Sequence, residues 1–286
     1  MKFVGNLLIS LLVAIIFIAG LSVGGYYYVK DTYGIDIIKT VDELVILNEP
    51  VDEAVVCPDA FSDSDMVDVQ TIVNESVAGF ITYTIEHGYS VNFDNLPDEM
   101  KYIIRLTDKQ VGALVQTVVK QEIGGKIDFG GKNVDVALKQ MKFSSITEKS
   151  ALLNTVLSVD MTPFKADMPE EFPYSYLKGY VPDTLYVSST VKVEKGATAF
   201  AYSVTHDTLT INNLSKEETE EFFRTLEIVL SVGAAETWNV QVGEAITNAL
   251  IGNESNNGLA YALRSIGATD YAFTQDSGKA YFSVLR

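Results

Sequence analysis

The sequence contains few of the residues on which common metal and redox sites depend. Among 286 residues there is one cysteine, Cys57, and there are two histidines, His87 and His206. A single cysteine cannot form a disulfide within the chain, and these three residues cannot supply a four-ligand Cys/His zinc site. The sequence therefore predicts neither a disulfide scaffold nor a structural zinc site, and we expect no cofactor.

Basic residues are also scarce. Lys and Arg total 21 against 38 Asp and Glu, which gives a formal net charge of −17 at pH 7. No cluster of Lys and Arg is present, and a net charge of this sign is repelled by phosphate backbones. We therefore predict that the protein does not bind nucleic acid. With 47% hydrophobic residues, the chain can nevertheless bury a substantial core.

Sequence motifs for catalysis are missing or incomplete. Neither a phosphate-binding GxxxxGK[ST] loop nor a GxSxG element is present. Residues 175–178 fit S-x-x-K, but the S-D-N and K-T-G elements that accompany it in penicillin-binding enzymes are lacking. Asp63, Asp65 and Asp68 resemble the start of a calcium loop, yet Asp68 and Asn74 replace its required glycine and glutamate. The sequence thus predicts no catalytic and no metal-binding residue, and we expect a protein that is not an enzyme.

One long apolar run lies near the N-terminus. Residues 3–29 carry no charge, and as a helix of about 1.5 Å per residue they would cross a bilayer core of about 30 Å. We interpret residues 1–30 as a signal anchor; a cleaved signal peptide is the alternative. Lys2 precedes the run, which favours a cytoplasmic N-terminus. Residues 31–286 are then extracytoplasmic, and the protein is a single-pass protein of the cell membrane.

The charge is unevenly distributed along the rest of the chain. Residues 40–100 contain fourteen Asp and Glu and no Lys or Arg. Such an acidic segment is suited to contact a basic protein partner. Within it, residues 66–85 are predicted to form a helix, because their apolar positions lie on one stripe.

Two strand-to-helix units have clear local signals. Residues 102–106 are β-prone, and Thr107 with Gln110 forms a T-x-x-Q capping box before an amphipathic helix. Ser215 with Glu218 forms an S-x-x-E box before a second amphipathic helix, and helices are also expected near 242–251 and 259–266. These signals predict helices that each bury one face.

Alternating apolar residues predict long strands between and after these helices. Strands are expected over residues 134–143, 151–161, 184–193 and 197–204, and residues 206–214 are either a separate short strand or a continuation across a shift in the alternation. Another shift near Gln140 suggests a β-bulge. Residues 270–285 read as a hairpin. The sequence therefore predicts an α+β fold with a mostly antiparallel, long-stranded sheet wrapping amphipathic helices. One extracytoplasmic domain over 31–286 is expected; a division near residues 163–182 is the alternative.

The order of these elements resembles a family of bacterial envelope proteins. A membrane anchor, the unit YIIRLTDKQVGALVQTVV, long alternating strands and then LTINNLSKEETEEFFRTLEIV are similar to membrane-anchored proteins of the YpmS/YceB type, over about half of the outer domain. That resemblance implies a tubular lipid-binding-like fold, in which curved strands and helices enclose an apolar groove. It implies a lipid or another apolar ligand, and it implies no catalytic residue.

The apolar faces of the two capped helices and of two strands are candidates for such a groove. The candidate ligand-binding residues are Leu114, Val118, Leu185, Val191, Phe200, Tyr202, Phe222 and Leu226. The same faces also suit an ordinary core. The alternative function is a non-catalytic scaffold or protein-interaction module of the cell envelope, which would have a filled core instead of an apolar cavity.

Overall fold

A computed structural model describes residues 37–65, 67–69, 71, 81–84, 88–91, 102–123, 126–129, 132–166, 170, 178–230, 234–255 and 258–286. In these residues the fold is α+β with antiparallel sheets, as predicted. The predicted signal anchor, residues 1–30, lies outside them. No helix in the described ranges is long and apolar enough to cross a membrane.

The helices and strands follow one another in an irregular order. The helices are α1 (Ile37–Asn48), α2 (Glu53–Val56), α3 (Asp108–Ile123), α4 (Thr162–Ala166), α5 (Lys216–Leu230), α6 (Ala235–Leu250) and α7 (Leu259–Ala262). The strands are β1 (Ile81–Thr84), β2 (Gly88–Val91), β3 (Tyr102–Thr107), β4 (Lys126–Phe129), β5 (Lys132–Ser144), β6 (Ser150–Asp160), β7 (Thr184–Lys195), β8 (Tyr202–Ile211), β9 (Asp270–Asp276) and β10 (Lys279–Leu285). Short 3-10 turns occupy Lys178–Tyr180 and Leu263–Ile266.

The largest sheet has five antiparallel strands in the order β4-β5-β6-β7-β8. Its register shifts at the two places where the sequence alternation slips. In β5 the shift lies between Leu138 and Gln140, and in the β7–β8 pair Thr190 faces Thr208 while Val191 faces His206. Each shift inserts one extra residue, so that the apolar side chains on both sides of it keep to the core face.

Two smaller sheets accompany the large one. The C-terminal hairpin β9–β10 forms as predicted, and β10 also pairs with β3 to give the order β3-β10-β9. This sheet packs against β5 through Phe143 and Phe273, whose ring centroids are 5.1 Å apart. Within the sheet, the ring centroids of Phe273 and Phe282 are 5.8 Å apart. The third sheet is the β1–β2 pair.

Residues 81–84 correct one prediction. They form strand β1, so the helix expected over 66–85 does not extend to its predicted end. The segment reads Ile-Thr-Tyr-Thr, and β-branched and aromatic residues favour a paired strand over a helix end. In this part of the chain, helical residues are described within 63–71, and the first of them lies three residues upstream of the expected start at residue 66.

Helices cover one face of the five-stranded sheet. Helix α6 packs on β7 and β8, α5 packs on β8, and α3 packs on β5. A Cβ atom added to Gly243 of α6 would lie 2.7 Å from Cγ2 of Val191 in β7 and 3.0 Å from Cγ1 of Val204 in β8. The helix therefore lies directly on the sheet at this point, and the space between them is filled.

Candidate functional site

An open cleft of about 640 Å³ lies beside the start of α3. We call it the polar cleft. It is lined by Asp59, Asp65, Asp68, Thr107, Asp108, Lys109, Gln110, Lys142, Phe143, Ser144, Ser145, Ile146, Gln275, Gly278, Lys279 and Ala280. The lining comes from the acidic segment, the β3–α3 junction, the end of β5 and the β9–β10 turn, and most of it is polar.

The floor of the cleft is the capping box predicted from the sequence. The backbone N–H of Thr107 donates to Oε1 of Gln110 at 2.8 Å, and the N–H of Gln110 donates to Oγ1 of Thr107 at 3.3 Å. These reciprocal bonds satisfy amide groups that the first turn of a helix leaves open. The junction is thereby fixed, and it orients the neighbouring side chains of Asp108 and Lys109 at the cleft.

An ion pair at the wall of the cleft joins the acidic segment to the five-stranded sheet. Nζ of Lys142 on β5 donates to Oδ2 of Asp59, and the N–H of Asp59 donates to Oε1 of Gln140 at 2.8 Å. The hydrogen bond from Lys142 holds the pKa of the Asp59 carboxyl below its usual range. The pKa of Lys142 is raised by the same bond. Both groups are therefore charged at neutral pH, and this pair is part of the cleft wall.

Asp108 behaves differently from Asp59. Burial raises the pKa of its carboxyl, against hydrogen bonds from the N–H groups of Lys109 and Phe143 that lower it. Its Oδ1 accepts from Lys109 N–H at 2.9 Å. The cleft thus contains carboxyl groups in unlike environments together with the amino groups of Lys109, Lys142 and Lys279, and it can accept polar groups of either sign.

The acidic segment is partly neutralised by β5. Beside the Asp59–Lys142 pair, Glu53 lies 3.1 Å from Nζ of Lys139, and this bond lowers the pKa of Glu53. Tyr186 donates its hydroxyl to Glu53 at 3.2 Å. Part of the negative charge that a basic protein partner would contact is therefore already paired with lysines of β5.

Two of the predicted groove residues line a second region, which we call the aromatic hollow. It comprises two cavities of about 590 Å³ and 360 Å³ that share Phe200, Ala201 and Asn253, with Tyr261 in the first and Tyr202 in the second. Phe200 has a φ of 60°, which is uncommon for a residue with a Cβ atom. Its ring meets that of Tyr261 edge-on at 5.6 Å, and the Tyr202 hydroxyl donates to Oδ1 of Asn248.

The other groove candidates are distributed through the core. Leu185, Val191 and Phe222 are at most 1% exposed within the main hydrophobic cluster, and Leu114 is half-buried against it. Val118 and Leu226 lie in α3 and α5, and their side chains are outside the described part of the structure. The structure therefore brings Phe200 and Tyr202 together at a hollow, and it does not bring these two to the same cavity as Leu185, Val191 or Phe222.

Sequence reasoning missed a buried polar cluster centred on Asn239 of α6. The Oγ of Ser189 donates to Oδ1 of Asn239 at 2.5 Å, and Nδ2 of Asn239 donates to the carbonyl oxygens of Thr190 at 2.7 Å and Thr208 at 3.0 Å. Nδ1 of His206 lies 2.8 Å from the same Nδ2. The cluster lies at the β7–β8 bulge, where Asn239 donates to backbone carbonyl groups that the irregular ladder does not pair. The shift in alternation at His206 was the one feature of the sequence that pointed to this cluster.

Cys57 has the properties of a structural residue. Its side chain is 5% exposed and packs with Val156 and Tyr186. Burial raises the pKa of its thiol, which lowers the fraction of reactive thiolate at neutral pH. Among the described residues, no three His, Cys, Asp or Glu side chains are grouped so that they could hold a metal ion.

Comparison with protein-family models, with curated proteins and with solved structures finds no match to this chain. The function therefore has to be argued from the cleft, the hollow and the sequence.

Proposed function

We propose that this protein is a membrane-attached, non-catalytic binding module of the cell envelope, with its folded part outside the cytoplasm. Residues 3–29 are the membrane anchor in this proposal, the N-terminus is cytoplasmic, and residues 31–286 are extracytoplasmic. The resemblance to envelope proteins of the YpmS/YceB type supports this placement, as does the uncharged run itself.

One observation carries the choice of an interaction module over a lipid carrier. Along the sheet, where a lipid groove would run, a Cβ atom added to Gly243 would lie 2.7 Å from Val191 and 3.0 Å from Val204, and Leu185 and Phe222 are fully buried. The polar cleft is open instead, and its wall is mostly charged and hydrogen-bonding groups. An acyl chain gains about 0.8 kcal/mol per buried CH₂ only against apolar surface, so the cleft suits a polar partner better than a lipid tail.

Site-specific photo-crosslinking in cells tests this proposal. A photo-crosslinking amino acid is placed at Lys109 and, separately, at Gln275, because both side chains are exposed at the polar cleft. The matched control carries it at Glu217, which is exposed on α5 outside the described cavities. We expect the same discrete adduct from both cleft positions and none from Glu217. Equal labelling at all three positions, or none at the cleft, would contradict the proposal.

A lipid or another apolar ligand is the second candidate, and the aromatic hollow favours it. Phe200 and Tyr202, both candidates from the sequence, line its two cavities together with Tyr261. A crosslinker at Asn253, which lines both cavities, separates the two functions. An adduct with the mass of a lipid at Asn253 and no adduct at the cleft would favour the lipid ligand.

A further inference from the structure

Helix α1 buries a carboxyl group for which the described residues supply no hydrogen-bond partner. Glu43 is 2% exposed, and neither of its carboxylate oxygens accepts a hydrogen bond from the described residues. The same helix buries Leu44 and Leu47 completely in the main core. Buried carboxylates are ordinarily paired or hydrogen-bonded, because an isolated buried charge is costly.

The two described cations whose charges act on this carboxyl group, Lys39 and Arg224, both lie beside Glu221. Lys39, one turn earlier on α1, pairs with Glu221 of α5, and Nη2 of Arg224 lies 3.5 Å from the same Glu221. The positive charges of Lys39 and Arg224 therefore act on Glu43 without a hydrogen bond to it, because both side chains also interact with Glu221.

The other charged residues around Glu43 either oppose the ionisation of its carboxyl group or pair with a different residue. Asp42 of α1 and Glu218 of α5 both repel a negative charge there, and Glu218 is fixed in its capping box with Ser215. The 3-10 turn Lys178–Tyr180 also packs on α1, and its Lys178 pairs with Glu170. Burial raises the pKa of Glu43 from 4.5 to about 7.

We propose that Glu43 makes the docking of α1 on α5 sensitive to pH, so that the helix is held when the carboxyl group is protonated and loosened when it is ionised. The opposing contacts are the burial of Leu44 and Leu47 and the hydrogen bond from Nδ2 of Asn212 to the carbonyl oxygen of Leu47 at 2.7 Å. Ionisation acts against these contacts because the released helix exposes the carboxylate to water.

The position of α1 gives this contact a consequence for the whole protein. It is the first described element after the apolar run at residues 3–29. Its twelve residues span about 18 Å as a helix and about 40 Å when extended, so release would lengthen a tether. Only this consequence rests on the proposed membrane attachment; the docking equilibrium itself does not.

Hydrogen exchange of the full-length protein in lipid nanodiscs tests the proposal. Protection factors of residues 37–48, corrected for intrinsic exchange, are compared between pH 5 and pH 8. With a carboxyl pKa of about 7 in the docked helix and 4.5 in the released one, docking should weaken by about 70-fold over this range. The variants Glu43→Gln and Glu43→Met cannot ionise, so their protection should be independent of pH.

Asp42→Asn is the matched control, since it removes an exposed carboxyl group from the neighbouring position. This variant should keep most of the pH dependence of the wild type, because Asp42 is the smallest of the contributions to the raised pKa of Glu43. Constant protection in the wild type, or an equal loss of protection in Glu43→Met, would overturn the assignment. If exchange follows the expected pattern but the protein remains soluble without a bilayer, the switch stands and the membrane attachment fails.

Discussion

Replacing Asn239 with alanine tests how the helical layer is held on the sheet. The side chain of Asn239 is fully buried, and its amide joins α6 to Ser189 and to the carbonyl oxygens of Thr190 and Thr208. Because these carbonyl groups flank the β7–β8 bulge, the ladder does not supply a substitute donor. The substitution leaves at least two buried polar groups unpaired.

The magnitude follows from the number of groups left open. A buried donor or acceptor without its partner costs about 1–3 kcal/mol, so Asn239→Ala should lower the free energy of unfolding by about 4 kcal/mol. Asn239→Asp retains an acceptor for Ser189 but places a carboxylate against the carbonyl oxygens of Thr190 and Thr208. We therefore expect it to be at least as destabilising as the alanine variant at pH 7.

Urea unfolding of the full-length protein in detergent measures these changes directly. The single tryptophan, Trp238, neighbours Asn239, is 3% exposed and packs edge-on against Phe223 at 5.3 Å, so its fluorescence reports on α6. Thr237→Ala, at an exposed position of the same helix, is the control and should change stability by less than about 0.5 kcal/mol. A loss below about 1 kcal/mol in Asn239→Ala would refute the argument that its amide holds the helix.

Three further predictions concern packing and charge. Gly243→Ala should cost about 1–3 kcal/mol by the same fluorescence assay, because its new methyl group would meet the stiff side chain of Val191 at 2.7 Å. Lys142→Met should cost at most about 1 kcal/mol, measured by urea unfolding at pH 7, since the Asp59–Lys142 pair is part-exposed; the loss should shrink as pH falls through the Asp59 titration. Glu43→Gln should match the wild type at pH 4 and exceed its unfolding free energy by about 3 kcal/mol at pH 8, because the folded protein binds more protons between 4.5 and about 7.

The local units of the fold could be predicted because their signals lie within a few residues. The capping box of Thr107 and Gln110 and that of Ser215 and Glu218 are both formed, and the helices begin where these boxes place them. The bulge near Gln140 was also predictable, whereas at His206 the sequence left a separate short strand and a continuous strand as alternatives. When the apolar alternation shifts by one position, one inserted residue keeps the apolar side chains on the buried face of the strand.

Long-range pairing could not be predicted in the same way. Strand β3 pairs with β10, and their partners Leu106 and Phe282 are far apart in sequence. Nothing in either strand encodes that partner, since the two form an ordinary antiparallel ladder. The polar cleft depends on this pairing, because the β9–β10 turn supplies one of its walls. Its residues were therefore missed even though Thr107 and Gln110 had been recognised as a cap.

The buried charge at Glu43 was hidden for a different reason. A glutamate within a short helix of an acidic segment looks like any other solvated side chain. Glu43 is buried because Leu44 and Leu47 pack α1 against the core. It lacks a partner in Lys39 because Lys39 pairs with Glu221. The property belongs to the α1–α5 contact, and it cannot be read from either helix alone.

The packing of α6 restricts where any ligand can bind. A ligand lying along β7 and β8 would have to displace this helix, which would break the bonds of Asn239 and open the contact between Gly243 and Val191. The polar cleft and the aromatic hollow require neither change, because both are already open. A ligand that leaves the fluorescence of Trp238 and the exchange of α6 unchanged therefore fits either of them. A ligand that exposes α6 on binding would mean that the sheet face is a groove with a helical cover, and it would restore the lipid carrier as the leading function.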